Sequence, residues 1–117
     1  MIQTKRVYEP PAPEDGARFL VDRLWPRGVK KEALQHAGWV KAVAPAETLR
    51  KWFNHDPAQW REFQHRYSAE LEKNPDAWQP ILQAARKGTV TLLFAAKDAE
   101  HNNAAALKSF LERKLKR

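Results

Sequence analysis

The run Thr-Val-Thr-Leu-Leu-Phe-Ala-Ala from Thr89 to Ala96 constrains the fold more than any other stretch of this chain. Apolar and β-branched residues follow one another almost without polar interruption, so neither face of an extended segment could be left in water. Such a strand belongs in the middle of a sheet with cover on both sides. Lys97 and Asp98 turn the chain, and Ala105, Leu107, Phe110, Leu111 and Leu115 recur at the spacing of a closing amphipathic helix. Upstream, Asp56 is a good N-cap, Pro57 suits the first helical position, and Gln59 stands where a capping box needs it. The stripe Trp60, Phe63, Tyr67 and Leu71 then predicts a helix of about 18 residues. Asn74-Pro75 repeats the start signal, Trp78, Ile81, Leu82 and Ala85 supply a buried face, and Arg86-Lys87-Gly88 supplies a basic last turn and a stop. Pro80 is expected to delay or kink that helix.

The N-terminal half reads as shorter pieces. Ile2 to Tyr8 is a strand running into a stiff loop at Pro10, Pro11 and Pro13. Ala17 to Leu24, with Phe19, Leu20 and Val21 in a row, is a second strand, stopped by Pro26 and Gly28. A helical turn is expected around Lys30 to His36 and a short strand over Trp39 to Ala44. From Pro45 the pattern is helical, with Leu49, Trp52 and Phe53 on one face and Arg50 and Lys51 on another. Strand, helices, strand and helix in that order imply a right-handed crossover and a small α/β fold, a parallel or mixed sheet flanked by helices. A length of 117 residues suits one domain over 1–117 with a real core, and 43% hydrophobic against 30% charged residues is an ordinary globular balance. The absence of cysteine excludes disulfides, thiol nucleophiles and Cys-ligated zinc. Lys5, Arg6, Asp15, Arg18 and Asp22 break up the N-terminus too often for a signal peptide or membrane span, so a cytoplasmic location is expected.

Ligands of open α/β sheets bind beyond the carboxyl ends of the strands. Two such ends carry unusual chemistry here: Asp22, Arg23, Trp25, Arg27 and Gly28 after one strand, and Lys97, Asp98, Asn102 and Asn103 after the other. If the two strands are parallel neighbours, the sets converge on one cleft. Arg23, Arg27 and Lys97 would then contact an anion, phosphate- or nucleotide-like, with Asp22 or Asp98 as acceptor or base. In the plainer alternative Asp22 merely pairs with Arg23, Arg27 or Lys97 to hold loops, and Trp25 fills the core. Lys and Arg outnumber Asp and Glu by 21 to 14, a net charge of +7 that favours phosphates of some kind. A second function class follows from this excess: a nucleic-acid-binding or regulatory accessory protein using Lys5, Arg6 and the C-terminal Lys108, Arg113, Lys114, Lys116 and Arg117. Those C-terminal cations also offset a helix dipole. A third is a partner-binding domain marked by an exposed apolar patch. His36, His55, His65 and His101 lack the spacing of a helical metal pair, so no metal is expected. His55-Asp56 could orient a base, but Asp56 is better explained as a cap. No cofactor is implied either, since the four glycines are isolated and form no phosphate-cradling loop.

Lys5-Arg6-Val7-Tyr8, the string Asp22-Arg23-Leu24-Trp25-Pro26-Arg27-Gly28, and Leu92 to Lys97 followed by Asn102 resemble the YeaO-like family, bacterial DUF488 domains of unknown function. Trp60, Phe63, Tyr67, Glu70 and Leu71 fit its middle helix, so the likeness spans almost the whole chain. The resemblance implies a small α/β fold with no established activity. Many members of the wider family have a cysteine where Phe94 stands and Cys-His-Arg in place of Asn102-Asn103-Ala104, while closer members keep Asn-His at the first two of those positions. Thiol, metal or histidine chemistry found elsewhere in the family is therefore not expected of this chain. Names given to family members include a methyltransferase and a transcriptional regulator, and a methyltransferase reading lacks its glycine-rich loop here.

Overall fold

A computed structural model describes residues 1–34, 36 and 38–116. The strand expected at the centre of the sheet is there: β4, Val90–Phe94, has all five residues buried. On one side it pairs in parallel with β1, Ile2–Arg6, and on the other with β2, Ala17–Leu20, which in turn pairs in parallel with the two-residue β3, Gly38–Trp39. The order is β1-β4-β2-β3, so the sheet is wholly parallel, with β4 and β2 inside.

Among the described residues four α-helices flank the sheet: α1, Glu47–Phe53; α2, Trp60–Glu72; α3, Pro75–Lys87; and α4, Asn103–Leu115. Their buried residues share one core with Ile2, Val21, Val90, Leu92 and Phe94, the residues that alternate onto one face of the strands. Leu20 and Leu93 are register partners and project from the other face, where Val7 and Leu34 join them in a smaller cluster. Trp25, Val29 and Trp39 cover that cluster, so loop residues supply much of the second layer. Further along the same face, Lys5 and Arg18 both meet the buried carboxylate of Asp15, and the Thr91 hydroxyl donates to the Asp15 carbonyl at 2.7 Å. Burial alone would raise the Asp15 pKa, but the Ala12 N–H, Lys5 and Arg18 outweigh it and hold the carboxyl below its ordinary value.

Several boundaries differ from those read in the sequence. The strand expected over Ala17 to Leu24 ends at Leu20, and its last residues become the loop that carries the candidate site. Instead of a strand over Trp39 to Ala44, pairing stops at Trp39 and Lys41–Val43 form a 3-10 turn, because Val43 N–H bonds back to the Val40 carbonyl. The turn at Lys30 closes through Ala33 and Leu34 N–H; Gln35, within the expected span to His36, lies outside the described residues. Asp56 does cap, accepting from Ala58 N–H at 3.0 Å, but no capping box forms. The Gln59 amide turns back instead to the Trp52 and Phe53 carbonyls at the end of α1, and Pro57–Gln59 stay a 3-10 turn ahead of α2. Pro80 neither delays nor splits α3, which runs unbroken from Pro75. Asn74 lends no side-chain cap to α3; its amide donates to the Ala42 carbonyl at 3.2 Å.

Candidate functional site

At the carboxyl ends of the two inner strands, the Asp22 carboxylate ties three elements together. One oxygen accepts from Ala95 N–H at 2.9 Å, just past β4, and the other accepts from the Asn103 amide at 3.0 Å, at the start of α4. The same Asn103 nitrogen donates to the Val21 carbonyl at 3.0 Å, and the Trp39 indole donates to the Asp22 carbonyl at 2.8 Å. Burial pushes the Asp22 pKa up, against the opposing pull of Asn103, the Ala95 N–H and the charge of Arg50. Both carboxylate oxygens are thus occupied, which suits a fastener better than a free general base.

Beside this clamp opens a cleft of about 710 Å³. Asp22, Arg23, Trp25 and Arg27 line it from the β2 loop, Ala95 and Ala96 from the end of β4, and Asn102 and Asn103 from the start of α4. The fourth wall is α1 and the turn after it, with Glu47, Arg50, Lys51, Asn54 and His55. Phe53 and Phe63, stacked at 4.4 Å between ring centres, are buried aromatic lining. Arginines and lysine number four along this lining, Arg23, Arg27, Arg50 and Lys51, against the two carboxylates Asp22 and Glu47. Glu47 lies 3.2 Å from Lys51 and 3.8 Å from Arg23, half-exposed contacts that water screens. The Nε atom of Arg50 is buried and has no hydrogen-bond partner among the described residues. A buried guanidinium nitrogen left in that state costs free energy.

Two backbone positions in this wall are unusual. Asn54 and His55 have φ of 48° and 54°, side by side and without glycine. Asn54 ends α1 as a left-handed cap, its N–H bonded to the Arg50 carbonyl, a role asparagine commonly takes. His55 follows it as the second central residue of a turn that Asp56 N–H closes onto the Phe53 carbonyl at 3.0 Å, and its ring lies 6.3 Å from Phe53.

The expected site residues divide between this cleft and its surroundings. Trp25 is half-buried, its indole N–H bonded to the Val29 carbonyl at 2.6 Å and its ring edge-on to Trp39 at 5.3 Å. The Arg27 carbonyl receives the Tyr8 hydroxyl at 3.0 Å, while its side chain is exposed. Asn102 lines the cleft yet is fully engaged as the N-cap of α4, accepting from Ala105 N–H and donating to the Asp98 carbonyl, both at 2.9 Å. Lys97 is exposed and does not line the cleft, so the anion contact assigned to it from the sequence is not part of this arrangement. Asp98 does not line it either. Its carboxylate closes the turn before α4, and the Glu100 N–H, the His101 side chain and the His101 N–H lower its pKa. The loop after β4 turns away toward α4, and for that reason the second expected set reaches the cleft only through Asn102 and Asn103. Sequence reading missed Arg50, which it put on the polar side of α1. The available signal was its position three residues before Phe53, at the edge of the apolar stripe.

Comparison with known proteins matches residues 1–117 to the family described as the inactive DUF488-N3 subclade. The uncharacterised protein YeaO of Escherichia coli is 41% identical over 110 residues, covering 94% of this chain and 96% of that one. An uncharacterised protein of Mycobacterium tuberculosis and one of Mycobacterium bovis are each 36% identical over 110 residues, covering 94% of this chain and 92% of theirs. No solved structure matches. No helix among the described residues is long and apolar enough to cross a membrane.

Proposed function

Because the chain belongs to the inactive DUF488-N3 subclade of the YeaO-like family, we propose that it works by binding, holding a small anionic ligand between Arg50, Arg23 and Arg27 at the carboxyl ends of β4 and β2. The observation that carries this reading is the surplus of cations along the cleft wall, where Arg50 also holds a buried Nε with no partner among the described residues. A guanidinium presents parallel N–H groups that match phosphate or carboxylate oxygens in pairs. Asp22, whose charge Arg50 feels, has both carboxylate oxygens bonded to Ala95 and Asn103. The word inactive in the family description accords with binding in place of turnover. So do Phe94, Asn102 and Asn103, which put no thiol or imidazole at those positions.

Nucleic-acid binding is less well supported. Lys5 is held by Asp15, and Arg6 donates to the Ala95 and Ala96 carbonyls. On α4, Lys108 pairs with Glu112, Lys114 with Glu72, and Arg113 with the Ser68 hydroxyl. Arg117 lies outside the described residues. Lys5 and Arg6 are held within the fold, and the α4 cations keep exposed partners of their own. A thermal-shift screen of phosphate-containing metabolites tests the binding proposal. Stabilisation of roughly 2–3 kcal/mol is expected at a hundredfold excess over Kd, and both Arg50→Gln and Arg27→Ala should shrink it. Shifts that survive both substitutions, or none with any compound, would refute it.

A further inference from the structure

The cleft that we assign to an anion is much larger than an inorganic anion requires, and its apolar parts are arranged as a second subsite. Its volume of about 710 Å³ lies within the range of pockets that enclose whole small molecules. Of the three large hydrophobic side chains exposed among the described residues, Met1, Tyr8 and Leu24, two line this cleft. Leu24 is 70% exposed and Tyr8 49%, so both keep apolar surface in water. Tyr8 is held in place, its hydroxyl bonded to the Arg27 carbonyl and its ring under the Arg6 guanidinium at 5.0 Å. Trp25, next to Leu24 in sequence, is fixed by its bond to Val29 and its edge contact with Trp39. Rigid aromatic surface of this kind binds flat rings at small entropic cost, because little side-chain freedom remains to be lost.

We infer that the ligand is a phosphomonoester carrying a planar ring, its phosphate on Arg50 and its ring against Leu24, Tyr8 and Trp25. The inference rests on the anion-binding proposal and adds the ring to it. Nucleoside monophosphates and simple aryl phosphates share this chemistry. A free phosphate satisfies the arginine but leaves Leu24 and Tyr8 in water, and an uncharged ring does the reverse.

Calorimetric titration of the full chain with five probes separates these cases: adenosine monophosphate, phenyl phosphate, ribose 5-phosphate, inorganic phosphate and adenosine. One or both ring-bearing phosphates should bind about tenfold or more tighter than ribose 5-phosphate, the scale of one buried ring edge. The member of the pair that binds tighter identifies the source, nucleotide or simple aryl ester. Leu24→Ser should erase about threefold of that advantage while ribose 5-phosphate affinity stays unchanged. Because Leu24 is mostly exposed, this variant tests contact without disturbing the core. Arg50→Gln should weaken every phosphate probe. If ribose 5-phosphate binds as tightly as both ring-bearing esters, the ring subsite is wrong and the anion site stands. If adenosine binds as tightly as its monophosphate, the anion site is wrong. Binding by none of the five overturns both, and equal losses for all phosphates in Leu24→Ser overturn the assignment of the ring to that residue.

Discussion

Gly16 and Gly28 look alike in the sequence, and both adopt positive φ, 65° and 79°. Their surroundings separate them. A Cβ on Gly16 would sit 2.1 Å from the Thr89 carbonyl oxygen, at the point where Ala17 N–H bonds that same oxygen and begins the β2 pairing with β4. A Cβ on Gly28 would meet nothing within 4 Å among the described residues. Gly28→Ala should cost about 1–2 kcal/mol, the price of left-handed backbone alone, whereas Gly16→Ala should cost about 3 kcal/mol or more, since strain and displacement of β2 add together. Urea unfolding of the two variants measures the difference, and equal losses would refute the steric reading. Titration separates two aspartates in the same way. Asp15 has a folded pKa below its ordinary 3.8, so its contribution is present above that value and is lost as pH falls through the folded pKa. Asp22 has a folded pKa above 3.8, so its contribution is fully present below that value and is lost as pH rises through the folded pKa. Asp15→Asn should therefore flatten the loss of stability below about pH 4, as read from urea midpoints across the acid range. An unchanged acid limb would show that other carboxylates dominate.

The elements most secure in the sequence are those whose stability is local. The stripe of α2, the start of α3 at Pro75, and the closing helix are all present, because side-chain periodicity and capping chemistry are properties of short stretches. β4 was legible for a different reason: no other placement hides so continuous an apolar run. β2 and β3 were misjudged in length, since where pairing stops depends on the neighbouring strand and the loop that takes over. Asn102 shows how an element governs the site. It caps α4 and holds the turn through Asp98, and so sets where Asn103 stands relative to Asp22. Asn102→Ala should destabilise the protein by about 1–2 kcal/mol, and Asn102→Ser, which keeps a capping oxygen, should recover part of that loss. Chemical denaturation gives the comparison; a serine variant no better than alanine would argue that the cap is not the source of the effect.

For the whole molecule, the radius of gyration of 13.4 Å agrees with about 13 Å for a compact domain of 100 residues. The two clusters on opposite faces of the sheet share β4 and β2, so neither should come apart alone. We propose that residues 1–117 unfold as one unit. Tryptophans report from both sides: Trp25 and Trp39 pack on the smaller cluster, and Trp52, Trp60 and Trp78 belong to or pack on the larger. Fluorescence and far-ultraviolet dichroism should give coincident urea transitions; a separate early fluorescence step would show that the loop-covered face opens first. The sequence by itself determined the class of fold, the central strand, the main helices and the segment Asp22 to Gly28 as a place of concentrated polar chemistry. Those features follow from local periodicity, capping and burial demand, which a chain carries with it before it folds. Only the tertiary structure decided that Asp22 fastens β2 to β4 and α4, that Lys97 stands away from the cleft, and that Arg50 on α1 faces it with a buried nitrogen unpaired. Such relations join residues tens of positions apart, and they depend on distances and solvent exclusion that no local pattern encodes.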